Sequence, residues 1–294
     1  MDVCKSLTIA WLAITLFSYH KGISNHKLEN ERSDQIISVH VGLDSLGEVR
    51  IIDERFEIPQ LNRERRIWIY LPPNYEQGDK RYPVVYMHDG QNLFDAKTAF
   101  AGEWGIDESM NQLFGEGQKS AIIVGIDNGG DRRMHEYSPW VNSQYGGGEG
   151  EQYGKFIVET LKPYIDEHFR TLPDREHTGI MGSSMGGLIS YYIGLQYQDT
   201  FSRLGIFSPS FWFGQELHDF ALDFKPTHDF KIYFLMGAKE GKVMVNNMKK
   251  VYNELLQAGI PKEQMFYLIA KDGEHREWFW QREFPKAYTW MFAE

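Results

Sequence analysis

The chain has 294 residues, 42% of them hydrophobic and 15% aromatic, enough to bury one substantial core. A formal charge of -10 argues against duplex nucleic acid or an anionic membrane as partner, since either needs clustered Lys and Arg. Cys4 is the single cysteine, which excludes an intramolecular disulfide, a CxxC redox site and a cysteine zinc site, and the ten histidines hold no H-E-x-x-H or ligand-spaced cluster, so neither metal nor cofactor is expected.

Residues 7–17 are apolar apart from threonine, follow Lys5 and are short for a membrane span. They read as the hydrophobic part of a signal peptide over 1–24, which points to an exported protein; a buried N-terminal helix is the alternative. Residues 25–35 are polar and charged, a lead-in to one domain over 36–294. Residues 36–41, 48–58 and 65–71 show β-branched, alternating patterns that predict an antiparallel start to a sheet.

Residues 82–87 form a short apolar run that predicts a central parallel strand, ending in His88-Asp89-Gly90-Gln91-Asn92. Helical spacing over 104–114 and a buried strand over 121–126 begin a strand-helix-strand alternation. The apolar positions over 151–169 predict one long helix, adjusted near Pro163. Further strands are expected at 177–181, 204–207, 231–236 and 265–270, with a helix over 245–256 and a terminal helix from Arg276, interrupted near Pro285. The pattern is an α/β fold with a mostly parallel central sheet, antiparallel N-terminal strands and helices on both faces.

Between the strand at 177–181 and the next helix lies Gly182-Ser183-Ser184-Met185-Gly186, a G-x-S-x-G sequence. In that context it reads as a nucleophile elbow, the strained turn that exposes a serine at the end of a strand in the α/β-hydrolase fold. The triad order of that fold is serine, acid, histidine, with the last two in loops after late strands. Glu240 follows the strand at 231–236 and His275 follows the strand at 265–270, so Ser184, Glu240 and His275 appear in that order. Asp272, three residues before His275, is the alternative acid. Ser184 would attack a carbonyl carbon, His275 would move the proton, and the acid would orient the imidazole. Two backbone N–H groups are needed for the oxyanion, one from Met185 and one from Gln91 or Gly90, with Gln91 preferred. Asp89 and Asn92 read as turn residues.

The stretches VVYMHDGQNLFD, GEWGID, IMGSSMGGL and FSPSFWF, with residues 145–150 and 273–275, resemble the putative-esterase family of α/β-hydrolases. That family includes enterochelin and related siderophore esterases, S-formylglutathione hydrolase, feruloyl and acetyl-xylan esterases, and mycolyltransferases. The resemblance runs from the first strands to the C-terminus. It implies a serine carboxylic-ester hydrolase working through an acyl-enzyme on Ser184, with His275 as base, the acid at Glu240 where many relatives carry Asp, and Trp104, Arg132 and Trp212 facing the substrate. The implied substrate is a small-molecule or carbohydrate ester. Tyr137, Trp140, Tyr145, Phe211, Trp212 and Phe213 make the loops aromatic, which suits an aromatic acyl group, a sugar ring or a catecholate. An acyltransferase using the same acyl-enzyme and a siderophore trilactone esterase are alternatives. A non-catalytic binding module would have no need of serine, acid and histidine together.

Overall fold

The computed structural model describes residues 46–293, so the expected signal peptide, the lead-in and the strand over 36–41 lie outside the described residues. Eight strands form one sheet: β1 (Glu48–Ile58), β2 (Arg63–Leu71), β3 (Val84–His88), β4 (Ile122–Ile126), β5 (Thr178–Ser183), β6 (Arg203–Phe207), β7 (Lys231–Gly237) and β8 (Met265–Ala270). Their order is β1-β2-β4-β3-β5-β6-β7-β8. β2 runs antiparallel to both β1 and β4, and the remaining neighbours are parallel. This is the mixed, mostly parallel sheet of the α/β-hydrolase fold.

The inner strands are continuous apolar runs because helices cover both of their faces. β3, β4 and β5 are buried along their whole length. Val84, Tyr86 and Val124 point to the face covered by α3 (Gly150–Phe156), α5 (Met185–Gln196) and α7 (Lys242–Ala258). Val85, Met87 and Ile123 point to the other, covered by α1 (Ile106–Gly115) and α8 (Glu277–Phe292). α5 is apolar around its whole circumference and buried from Met185 to Leu195, as a helix enclosed on all sides must be.

The helix expected over 151–169 is continuous but not uniform: α3 passes through a π turn at Ile157–Leu161 into α4 (Lys162–His168). In a regular α-helix the Pro163 ring would meet the carbonyl of Glu159, and the wider turn falls on that stretch. At Pro285 the expectation of an interruption is corrected, because α8 runs unbroken through it. Phe279, Phe284, Tyr288 and Phe292 are all buried, and at roughly 1.5–3 kcal/mol for each large apolar side chain their burial outweighs a proline penalty of about 3 kcal/mol. α6 (Glu216–Asp223) was not legible; packing creates it, with His218 Nδ1 2.8 Å from Glu254 Oε2 of α7 and Tyr191 donating to the Leu217 carbonyl. No described helix is long and apolar enough to cross a membrane.

His88, the last residue of β3, is buried against Tyr137 and Tyr153, with Nδ1 3.0 Å from the Tyr153 hydroxyl and no partner for Nε2 among the described residues. Burial, reinforced by Arg133 and only partly offset by Asp89, pushes it down to about 3. The unfolded chain therefore takes up a proton near 6.5 that the folded chain refuses, and stability is lost as pH falls from there towards 3, by about 1.4 kcal/mol per pH unit. Urea unfolding at pH 7 and pH 4.5 should show a loss about 2 kcal/mol larger in the wild type than in His88→Asn. Equal losses in the two proteins would remove His88 as the source.

Candidate active site

β5 ends at Ser183, α5 begins at Met185, and Ser184 turns the chain between them at φ 58° and ψ -121°. Such a backbone costs a non-glycine residue about 1–3 kcal/mol and persists only where the surroundings fix it. Here the Ser184 N–H donates to the Phe207 carbonyl at 3.0 Å, and its own carbonyl accepts from Ser210 N–H and Leu188 N–H, each at 3.1 Å. Gly182 must be glycine, since a Cβ there would lie 2.8 Å from the Gly186 carbonyl carbon and oxygen. Ser184 is half-buried while its neighbours on both sides are buried, so its side chain alone reaches the surface at the turn.

The loops after β7 and β8 meet at two glycines. Lys239 N–H donates to the Gly273 carbonyl, and a Cβ on Gly237 would fall 2.4 Å from Gly273 backbone atoms. This contact brings Glu240 and His275 together, with His275 Nδ1 2.7 Å from Glu240 Oε2. The Glu240 side chain is 1% exposed and that of His275 40%. The other Glu240 oxygen accepts from Gly237 N–H at 2.8 Å and from the Ser208 hydroxyl at 2.6 Å. Asp272 is exposed and turned to Arg282, which donates to both its oxygens. That guanidinium holds the Asp272 carboxyl below its usual range. The Ser184 hydroxyl lies 3.4 Å from Ser210 Oγ, and in this conformation it bonds there and not to His275.

On the other side of Ser184 stands the turn after β3. Asp89 adopts φ 58° and leads into a 3-10 turn over Gly90–Asn92. A Cβ on Gly90 would lie 2.8 Å from the Ile126 and Asp127 backbone at the end of β4, so glycine lets the turn sit directly on that strand. Gln91 and Met185 each stand near the start of a helical turn, where backbone N–H groups lack an intrahelical acceptor. The Gln91 side chain points away, accepting from Asn128 N–H at 3.0 Å. Asp89 is clamped by Arg133 through both oxygens, at 2.7 and 2.8 Å, and by Asn128 at 2.6 Å. Burial alone would raise its carboxyl, but Arg133 and Asn128 outweigh that and lower it. Asn92 accepts from Phe100 N–H, so both residues serve the turn, as their types suggested.

Three positions expected to face a substrate fall in three settings. Trp212 is 40% exposed, edge-on to Tyr145 at 5.3 Å, in the turn that begins at Ser210. Trp104 is 2% exposed, enclosed between Phe207 and Trp280, so it supports the site from the core and does not line a pocket. Arg132 is exposed in a groove with Glu57, Asn62 and Glu64, and Arg133, its neighbour, is the arginine turned towards the elbow. Among the loop aromatics, Tyr137, Phe211 and Phe213 are buried, leaving Tyr145 and Trp212 exposed and Trp140 half-buried. The Tyr145 loop is a short hairpin pairing Val141–Asn142 with Gly146–Gly147, and Asn142 ties it to the Phe213 carbonyl at 2.6 Å. Sequence reasoning missed Ser208, Ser210 and Arg133; the two serines stand in the FSPSFWF stretch, whose Ser-Pro step after an apolar strand was the available signal.

Among the described residues, Glu103, Asp107 and Glu108 bring carboxylate oxygens within 4.8 Å of one another. Burial, then the adjoining Glu108, raises the Asp107 carboxyl above the carboxylate range.

The family model described as "Putative esterase" matches residues 58–291. The "Uncharacterized protein YbbA" of Bacillus subtilis (strain 168) is 25% identical over 243 residues, covering 78% of this chain and 93% of that protein. A solved ferulic acid esterase superposes with a TM-score of 0.61 at 20% identity, over 84% of this chain and 98% of that one. The enterobactin esterase FES of Shigella flexneri, solved in the presence of enterobactin, gives a TM-score of 0.64 at 18% identity, over 82% of this chain and 57% of that one. With the elbow, the acid–histidine pair and the family model covering the sheet from the end of β1 through most of α8, the chain is a carboxylic-ester hydrolase that belongs to the "Putative esterase" family.

Proposed function

We propose that the chain cleaves carboxylic esters through an acyl-enzyme on Ser184, with His275 as general base and Glu240 as the acid of the triad. The observation that carries this reading is the 2.7 Å contact between His275 Nδ1 and a buried Glu240 carboxylate oxygen. A carboxylate only accepts hydrogen bonds, so Nδ1 carries the proton and Nε2 keeps its lone pair, the tautomer a general base needs. Ser184 Oγ turns from Ser210 to Nε2, gives up its proton and attacks the carbonyl carbon. The N–H groups of Met185 and Gln91 receive the negative charge that forms on oxygen. His275 then returns the proton to the leaving alkoxide, and a water molecule repeats the sequence to release the acid.

The exposed Tyr145 and Trp212 rings favour an ester with a planar aromatic or sugar ring, in keeping with the ferulic acid and enterobactin esterases that share the fold. Methyl ferulate beside 4-nitrophenyl acetate provides the assay. Ser184→Ala should lower kcat by at least about 10³-fold on both while the thermal transition stays in place; retention of most activity would sink the nucleophile.

A second comparison separates the two acids. Glu240→Gln should cost about 10³–10⁴ in kcat, and Asp272→Asn less than about threefold. The reverse order would move the acid role to Asp272.

A further inference from the structure

Ser208, the first residue after β6, is fully buried at φ 41°, a left-handed backbone that serine rarely adopts. It also precedes Pro209, and a residue before proline is normally driven to extended conformations. The strain is held in place by Ser208 N–H donating to the Leu235 carbonyl of β7 at 2.7 Å. Strain of this kind persists where the surroundings over-determine it, and it gathers at functional sites.

What the conformation places is the hydroxyl. Trp280 of α8 approaches it with Nε1 2.9 Å from Ser208 Oγ, and Glu240 Oε1 lies 2.6 Å away on its other side. The direction of each bond is fixed by chemistry. An indole N–H can only donate, so Ser208 accepts there, and its own proton is left for the carboxylate, which can only accept. The chain of donors runs from Trp280 to Ser208 to Glu240, and Glu240 also receives His275. Trp280 closes the arrangement by standing edge-on to the His275 ring at 5.1 Å and 87°.

We infer that Ser208 is a positioning residue for the ester hydrolysis proposed above, with Trp280 orienting its hydroxyl so that it holds the Glu240 carboxylate in line with His275. The inference rests on the reading of Glu240 as the triad acid. Glu240 needs such a partner because glutamate has one more rotatable bond than aspartate, and among the described residues only the Gly237 N–H and the Ser208 hydroxyl grip the oxygen that does not face the histidine. Without the hydroxyl, Oε1 keeps a single donor, the carboxylate swings, and the imidazole it orients loses its aim.

A double-mutant cycle tests this with the full chain and 4-nitrophenyl acetate. Ser208→Ala should lower kcat roughly 10–100-fold with KM changed less than about threefold. In the Glu240→Gln background the same substitution should change kcat less than about twofold, because its effect passes through the carboxylate. Trp280→Phe, which keeps a ring beside His275 but frees the hydroxyl to rotate, should cost about three- to tenfold and should likewise fade in the Glu240→Gln background; it supplies the cycle if Ser208→Ala does not fold. A Ser208→Ala enzyme within about threefold of wild type beside a crippled Glu240→Gln would overturn the inference and leave the triad standing. An equal loss in both backgrounds would also overturn it, as the mark of a merely structural serine. A harmless Glu240→Gln would bring down the acid assignment and this inference with it.

Discussion

The left-handed turn at Ser184 is the constraint on which the rest of the site depends. A serine holds φ 58° because backbone fixes it from the end of β5 and from the exit of β6 through Phe207 and Ser210, while the His88 and Asp89 side chains after β3 stand against Gly186. At that distance there is no room for side chains, so Gly182, Gly187 and Gly90 stand where a Cβ would come within 2.8 Å of neighbouring backbone. The sheet order then follows as a requirement. β5 must lie between β3 and β6 for its last residue to meet both loops, and the order β4-β3-β5-β6-β7 meets it.

Charge buried near this crowding fixes the turns against each other. Asp89 is held in its left-handed conformation by Arg133 and Asn128, and its N–H donates to the Tyr137 hydroxyl. Behind it, the fully buried Glu136 accepts from Arg63 and Arg65 of β2, and Arg63 continues to Glu149. Buried ion pairs add little net stability, because desolvation cancels most of the Coulomb gain, and removing one partner is costly. Their effect here is on geometry. They tie α2 (Arg133–Glu136) to β2 and to the β3 turn, so that turn cannot drift from the elbow.

Much of this was legible in the chain, for physical reasons. Central strands read clearly because burial on both faces makes them unbroken apolar runs, and β8 was bounded correctly at both ends. The elbow read clearly because close backbone approach demands glycine, and few other features do. Positions set by tertiary packing did not read. Arg132 and Arg133 are adjacent and chemically identical, and only the path of α2 decides which one meets Asp89. Trp104 looked like a pocket aromatic, yet the stack on Phe207 and Trp280 encloses it. For Ser208 the Ser-Pro step after an apolar strand marks a turn but not a role, since the place of its hydroxyl comes from a backbone conformation that the residue before a proline usually avoids.

Glu240, the acid of the proposed triad, shows how a loop can be built around a side chain. Glu240 closes a 3-10 turn over Ala238–Glu240 and reaches back to the N–H of Gly237 with the same oxygen that accepts from Ser208, while its second oxygen takes His275. Half of this is a capping interaction, in which an acidic side chain at the third position satisfies the N–H that opens the turn. An aspartate here would be shorter by one methylene and could not easily bond the start of its own turn and the histidine of the next loop together. The acid therefore shapes the segment that carries it, and the loop contact between Gly237 and Gly273 is the other half of the same construction. Lengthening the side chain and tightening the turn are one structural choice, and the additional donor from β6 follows from it, because a longer acid has one more torsion to restrain.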